Sequence, residues 1–375
     1  MRRARPEFAS EIVKYGAKDF KACYNCGTCT AICNLTDKNA NFPRMFIRYG
    51  VLGQTSDIKQ SKELWMCYAC GDCSVNCPRQ AAPGDYMAAM RRYAIAGFEP
   101  TGLTGMIFKS NIFSLFITLF LAFILGFFLM TLKPEMEIAR WIFEWLPYAV
   151  IHTMGLVIFS FTGLSMVWGL ISMTMALSKS VKKDVKQKNG FFKTLSLVGR
   201  ELTAMKRYRD CDSDEGSFWN DKPWMVRPWF VHWSIMWGFL GLLLATVLDF
   251  MLKDPATDMW LPSRLLGTVA GLMMIYGTSL AIYYRIKKIA RSYQETKMAD
   301  WLLLIFLWLA GFTGFWLEAA VFFNLSNMAN QVVFMIHTII SMELVLLFSF
   351  SKFAHAIYRP LALYFYSRTN VSLKK

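Results

Sequence analysis

Eight of the nine cysteines form two closely spaced runs within the first 77 residues. Both runs have the spacing CxxCxxCxxxC, and Pro78 follows the second. In this spacing three thiolates from one loop bind three corners of a 4Fe-4S cubane, and the fourth thiolate reaches the other cluster. The pattern therefore predicts two 4Fe-4S clusters. Cluster one would be held by Cys23, Cys26, Cys29 and Cys77, and cluster two by Cys67, Cys70, Cys73 and Cys33.

Two features of the runs bear on which metal they bind. Gly27 and Gly71 lie two residues before the third cysteine of each run, where the missing Cβ lets backbone amides approach cluster sulfurs. Asn34 follows the first run at a position where a proline is expected, so the first run fits the ferredoxin pattern less closely. Zinc is the alternative, but structural zinc usually takes two separated pairs of ligands. We therefore expect iron-sulfur chemistry.

The four histidines provide the second set of candidate ligands, because all of them lie in apolar stretches. His337 and His355 are 18 residues apart within residues 330–358, a stretch without glycine or proline. In one continuous helix this separation is five whole turns, so both imidazoles would leave the same face about 27 Å apart. An imidazole in an apolar span needs a partner, and haem iron is one such partner. Histidines that are only hydrogen-bonded are the alternative.

Six apolar stretches are long enough to cross a bilayer as helices. They cover residues 111–132, 147–177, 229–252, 264–286, 300–324 and 330–358. The links after the second and fourth stretches are rich in lysine and arginine, whereas the other three links carry little positive charge. Because positively charged links stay inside, we predict a multi-pass protein of the bacterial or archaeal cytoplasmic membrane. Both termini and the cysteine runs would then be cytoplasmic.

This orientation pairs the histidines by depth. His152 and His337 both lie shortly after the outer start of a stretch, whereas His232 and His355 lie near the inner surface. We therefore predict an outer haem held by His152 and His337 and an inner haem held by His232 and His355. The sequence has no CxxCH motif, so both haems would be of the b type.

The composition agrees with a membrane protein. Hydrophobic residues make up 55% of the 375, and the mean hydropathy is positive. The net charge of +15 could suggest nucleic acid, but the basic residues fall in the links between apolar stretches. Membrane topology therefore accounts for the charge without a nucleic-acid partner. Two tight cysteine clusters ahead of any apolar stretch indicate metal ligands in a reducing cytoplasm rather than disulfides.

Charged residues in or beside the apolar stretches are candidates for function. The acids Asp249, Glu318 and Glu343 could form a proton path beside the outer haem; the alternative is neutral carboxyl groups hydrogen-bonded to neighbouring helices. Arginines at the ends of stretches could bind haem propionates, although most such arginines anchor to lipid. The candidates are Arg227 and Arg359 for the inner haem and Arg140 and Arg264 for the outer haem.

The chain is therefore predicted to be all-α, with two domains. Residues 1–105 would form a helical ferredoxin domain, closed by a helix at 84–97 whose Arg91 and Arg92 face lipid head groups. Residues 106–375 would form a six-helix transmembrane dihaem cytochrome b domain. Its cytoplasmic loop, residues 178–228, contains Cys211, which we expect to be a bystander thiol. This loop would either dock another protein or be a solvated link.

The two cysteine runs ahead of a histidine-bearing membrane domain resemble the haem-bearing membrane subunit of the quinone-interacting membrane-bound oxidoreductase complexes. The first part is similar to the small iron-sulfur subunit of heterodisulfide reductases. The second is similar to the gamma subunit of respiratory nitrate reductases, in which two histidines 18 residues apart also serve two haems. That subunit carries its other two ligands on one span, whereas His152 and His232 lie on different stretches here.

The resemblance implies electron exchange between menaquinone and adenylylsulfate reductase in sulfate respiration. The implied partners are flavoprotein and iron-sulfur subunits related to the flavin-containing subunit of heterodisulfide reductase. The alternatives are a heterodisulfide-reductase-type membrane arm with another acceptor, and a non-redox membrane anchor for a soluble enzyme. An ion channel or transporter would leave the cysteines unexplained.

Overall fold

The computed structural model describes residues 4–36, 42–132, 141–181, 189–212, 217–252 and 262–369. Within these ranges all regular structure is helical, as predicted, and there is no strand. The helices divide between a small N-terminal domain that carries the cysteines and a group of long apolar helices that follows it.

The N-terminal domain packs short helices around an aromatic core. Phe8, Phe46, Trp65 and Tyr86 are fully buried in this core. The longest helix, α6, begins at Pro83, where a missing N–H costs nothing, and covers the predicted closing helix. The helices are α1 (Phe8–Lys14), α2 (Thr28–Ala31), α3 (Arg44–Val51), α4 (Thr55–Gln60), α5 (Asp72–Val75), α6 (Pro83–Phe98) and α7 (Leu103–Lys109).

Six further helices are long and apolar enough to cross a membrane, which supports a multi-pass membrane protein. Large apolar side chains such as Ile112, Phe123 and Leu164 are exposed on them, as expected for surfaces that meet lipid. The helices are α8 (Asn111–Thr131), α9 (Tyr148–Val181), α12 (Pro228–Leu252), α13 (Pro262–Lys287), α14 (Met298–Phe322) and α15 (Met328–Leu346).

The sixth apolar stretch is not one helix, so this prediction is wrong. Helix α15 ends at Leu346, residues 347–350 form turns, a short 3₁₀ helix covers Lys352–Ala354, and α16 covers His355–Thr369. The Ser351 hydroxyl accepts a hydrogen bond from the Phe353 amide at 3.2 Å and caps the new helical turn. Phe348 stacks on Phe353 with ring centroids 5.1 Å apart. The helical period therefore does not relate His337 to His355.

The segment between α9 and α12 folds onto its surroundings. Helices α10 (Phe191–Ala204) and α11 (Lys206–Asp212) meet at Met205, which has a φ of +44°. Helix α10 packs on α16, and α11 packs on α12. The Tyr68 hydroxyl of the cysteine domain donates to the Glu201 carboxylate on α10. The described part of this segment therefore packs against the rest of the chain and is not only a solvated link.

Arg91 and Arg92 do not face lipid head groups, contrary to the prediction. Arg92 is buried, and its Nη2 donates to Asp300 Oδ2 of α14 at 2.6 Å. Lys352 Nζ lies 3.2 Å from the other oxygen of Asp300. Arg91 Nη1 donates to the backbone oxygen of Cys67 at 2.8 Å. These contacts join the cysteine domain to the end of the helical group where α14 begins.

Candidate functional site

The two cysteine loops, residues 23–33 and 67–77, repeat the same backbone geometry. Gly27 and Gly71 have φ values of +92° and +97°, and a short helix follows each of them. Asn25 and Ala69 also have positive φ, at +66° and +58°. Their amides donate to the sulfurs of the cysteines two residues earlier, at 3.4 and 3.3 Å. Amides turned toward cysteine sulfurs suit thiolates bound to an iron-sulfur cluster.

The structure brings each predicted set of four cysteines together. Burial raises the pKa of the Cys29 thiol, and Cys23, Cys26 and Cys77 lie close enough to raise it further. These three are the other members of the predicted cluster-one set.

The second set is gathered in the same way. Burial raises the pKa of Cys33 to about 12, and Cys67 and Cys70 of the other loop raise it further, as does Cys29 of the first set. The pKa of Cys73 is raised by burial, by the same three cysteines and by Cys33. Each predicted set thus draws cysteines from both loops, the arrangement expected of two 4Fe-4S clusters.

His232 on α12 and His355 at the start of α16 face each other and form the inner histidine pair. Their ring centroids are 6.2 Å apart, with an angle of 57° between the rings. Imidazole binds a transition metal such as zinc at about 2.0 Å, so two rings on opposite sides of one metal have centroids about 6 Å apart. The His355 Nδ1–H donates to the Lys352 carbonyl, which leaves Nε2 free as a ligand. The pair thus fits one bis-histidine iron.

The arginines predicted beside this pair differ in their contacts. Arg227 donates to the backbone oxygens of Lys222 and Asn220, at 2.9 and 2.8 Å. The Arg359 guanidinium lies 3.7 Å from the centroid of the Tyr68 ring, and its buried Nη2 has no hydrogen-bond partner within the described ranges. An unpaired buried guanidinium nitrogen suits a carboxylate. Arg359 is therefore the better candidate for a propionate of an inner haem.

His337 lies in a cavity of about 510 Å³ enclosed by α9, α12, α13, α14 and α15, which we name the outer cavity. This volume is in the usual range for small-molecule and cofactor sites. Two predicted acids line the cavity and accept hydrogen bonds there: Asp249 from Ser263 and Glu318 from Thr268, each at 2.8 Å. Glycines on three helices leave room along its walls, namely Gly155, Gly267, Gly271, Gly311 and Gly314.

Thr313 determines the tautomer of a neutral His337 ring. The Thr313 hydroxyl donates to the Leu309 carbonyl at 2.6 Å, so at 2.8 Å from His337 Nδ1 it accepts the ring N–H. His337 therefore keeps its Nε2 lone pair available for a metal, the arrangement expected of a ligating histidine. Thr313 lies on a different helix from His337, so no spacing along the chain could have indicated this contact.

Of the remaining predicted residues, some line this cavity and others do not. His152 of α9 is not part of the cavity wall, although Ile151 and Gly155 near it are. Arg264 also lines it, whereas Arg140 lies outside the described residues. Glu343 is fully buried in α15 but is not part of the cavity wall, and neither carboxylate oxygen has a hydrogen-bond partner within the described ranges. Asp249 and Glu318 therefore share the cavity with His337, and Glu343 does not.

Comparison with protein families assigns the N-terminal part of the chain. The 4Fe-4S dicluster domain family matches residues 22–82, a segment that contains both cysteine loops. A comparison with curated proteins gives no match. The chain thus combines a 4Fe-4S dicluster ferredoxin domain with six helices capable of spanning a membrane.

Proposed function

We propose that this chain is a membrane electron-transfer subunit that exchanges electrons between menaquinone and a cytoplasmic flavin and iron-sulfur partner. Two b haems and two 4Fe-4S clusters would carry the electrons. The observation that carries the proposal is the inner histidine pair, whose ring centroids are 6.2 Å apart. His355 of this pair donates to Lys352, which contacts the Asp300 that binds Arg92 of the cysteine domain. An arrangement of this kind links a membrane site to a soluble redox domain.

Each cofactor would be held by residues already described. The inner histidine pair and Arg359 would hold one haem, and His337 with His152 would hold the other. When bound, the haems and clusters supply one-electron carriers. The protein fixes His355 through the Lys352 carbonyl and His337 through Thr313, so that both rings present Nε2.

The outer cavity is the proposed site for menaquinol. Oxidation of a quinol releases two electrons and two protons, so the site needs proton acceptors. Glu318 and Asp249 are carboxylates in this cavity, and each accepts a hydrogen bond from a hydroxyl group. We assign them to accept protons from the quinol hydroxyls. Glu343, buried in the same region of the membrane domain, is the third acid of the proposed path to the outer surface.

Cluster one would serve the soluble partner, because Cys26 of its predicted set and the neighbouring Tyr24 are exposed. Cys29 of that set is buried, as is Cys67 of the second set. By resemblance, the proposed partners are flavoprotein subunits related to the flavin-containing subunit of heterodisulfide reductase, with adenylylsulfate reductase as the electron partner. Both termini and the ferredoxin domain would lie in the cytoplasm, as the positively charged links indicate.

Cofactor content and quinol reduction test the proposal. The purified protein should contain about two b haems and eight cluster irons per chain. A menaquinol analogue should reduce the haems, which is followed by the change in haem absorbance. Glu318→Gln should slow this electron transfer without lowering the haem content. Haem-free protein would refute the proposal and support a membrane anchor. Full cofactor content without reduction of the haems by the quinol would favour a heterodisulfide-reductase-type arm. The different electron carrier of such an arm would be identified from the subunits that copurify.

A further inference from the structure

A continuous series of aromatic contacts connects the inner histidine pair to the second cysteine loop. Tyr68 directly follows Cys67, and its ring stacks on Tyr208 of α11 with centroids 4.8 Å apart and an angle of 23°. Tyr208 in turn meets His232 edge to face, with centroids 6.0 Å apart. The rings therefore run from a cysteine of cluster two to a proposed haem ligand without a gap.

Both tyrosines are held on more than one side. Tyr68 lies under the Arg359 guanidinium, and its hydroxyl donates to Glu201. Tyr208 is buried on α11, a helix tied to α12 where Asp212 accepts a hydrogen bond from the Trp229 amide at 2.7 Å. Since α12 also carries His232, these contacts fix α11 relative to the inner histidine pair. The position of Tyr208 is thus set from both domains.

We propose that Tyr208 is a positioning residue that holds the second cysteine loop against the inner histidine pair, and that cluster two is the first cluster to receive electrons from the membrane. This inference rests on the proposed function. In the transfer, iron held by the pair would pass from ferrous to ferric, and the 4Fe-4S core would pass from 2+ to 1+. No bond forms and no proton moves. Cluster one, with Cys26 exposed, is then the outlet.

The ring of Tyr208, rather than its hydroxyl, makes both aromatic contacts. Phenylalanine preserves the ring and should preserve the transfer. Leucine removes the ring between Tyr68 and His232 and lets the loop shift. A misplacement of about 1 Å can slow a geometry-dependent reaction by about a hundredfold. We therefore expect Tyr208→Phe to behave like the wild type and Tyr208→Leu to slow reduction of cluster two by about tenfold or more.

The experiment uses the purified full chain with its cofactors. A menaquinol analogue reduces the protein, haem absorbance is followed by stopped flow, and reduced clusters are followed by freeze-quench EPR. Tyr284→Leu is the matched control, because Tyr284 is a buried tyrosine of the same region and lies outside the ring series. Tyr208→Leu should delay the cluster-two signal while leaving haem reduction unchanged, and the control should delay neither.

Two results would overturn the inference. One is an unchanged cluster-two rate in Tyr208→Leu, and the other is equal slowing in Tyr208→Phe and Tyr208→Leu. If Tyr208→Leu loses cofactor, Tyr208→Met replaces it. Failure of menaquinol to reduce wild-type haem would instead count against the proposed function. The contact would then be tested in dithionite-reduced protein through the line shape of the cluster-two EPR signal, which Tyr208→Leu should change and Tyr208→Phe should not.

Discussion

The buried ion pair between Arg92 and Asp300 should control how firmly the ferredoxin domain is docked. Their side chains are 8% and 5% exposed, and Lys352 adds a second positive charge 3.2 Å from Asp300. Asp300→Asn would leave the buried Arg92 guanidinium and the partly exposed Lys352 ammonium without their counter-charge. Breaking a buried pair in this way costs about 3–5 kcal/mol. Since each 1.4 kcal/mol is about tenfold, the undocked fraction should rise by about a hundredfold to a thousandfold or more.

The chain also provides a matched control across the same domain boundary. Lys18 and Glu295 lie 2.8 Å apart, but their side chains are 60% and 44% exposed. Exposed pairs contribute about 0–1 kcal/mol, so Glu295→Gln should change the undocked fraction by about fivefold or less. The two substitutions each remove one negative charge, and burial is the difference between them.

Hydrogen–deuterium exchange of the backbone amides of α6, which packs against other helices in the docked state, reports undocking. Asp300→Asn should speed exchange in α6 far more than Glu295→Gln. The double variant Arg92→Met with Asp300→Leu should recover much of the loss, because apolar side chains of similar volume can replace a buried pair. Equal exchange rates for Asp300→Asn and Glu295→Gln would refute the reasoning.

Three further results are expected. Cys77→Ser should remove the EPR signal of cluster one and Cys33→Ser that of cluster two; loss of the other cluster in each case would show that the fourth ligands do not cross. Thr313→Val should weaken outer-haem retention about ten- to a hundredfold in transfer to apomyoglobin, whereas Thr338→Val, on the same cavity, should not. Burial raises the pKa of Asp212 from 3.8 to about 7. Because its folded pKa exceeds the unfolded value, stability should fall as pH rises between these values, and the difference in melting temperature between wild type and Asp212→Asn should show it. A pH-independent difference would contradict this.

Local patterns in the sequence were sufficient for much of the fold. The apolar stretches predicted the six long helices because hydropathy and length act within one segment. The cysteine spacing predicted the loops that the 4Fe-4S dicluster family match contains. In both cases the chemistry is set by residues close together in the chain.

Contacts between distant residues could not be predicted in this way. The break after Leu346 has no glycine or proline to announce it, and it is fixed by the Ser351 cap and by Lys352 reaching Asp300. Arg92 has the same appearance in the sequence whether it meets lipid or a buried carboxylate. The stack of Tyr68 on Tyr208 joins two segments 140 residues apart, and no periodicity relates them.

The break in the sixth apolar stretch has a consequence for how related chains can diverge. In one continuous helix, insertion of a single residue turns everything beyond it by about 100° and would carry one histidine off its site. Residues 347–351 are not α-helical, so backbone torsions there can absorb a change in length. Homologues can therefore differ in the number of residues between their counterparts of His337 and His355 and still keep both. A search that demands 18 residues between them would miss such homologues.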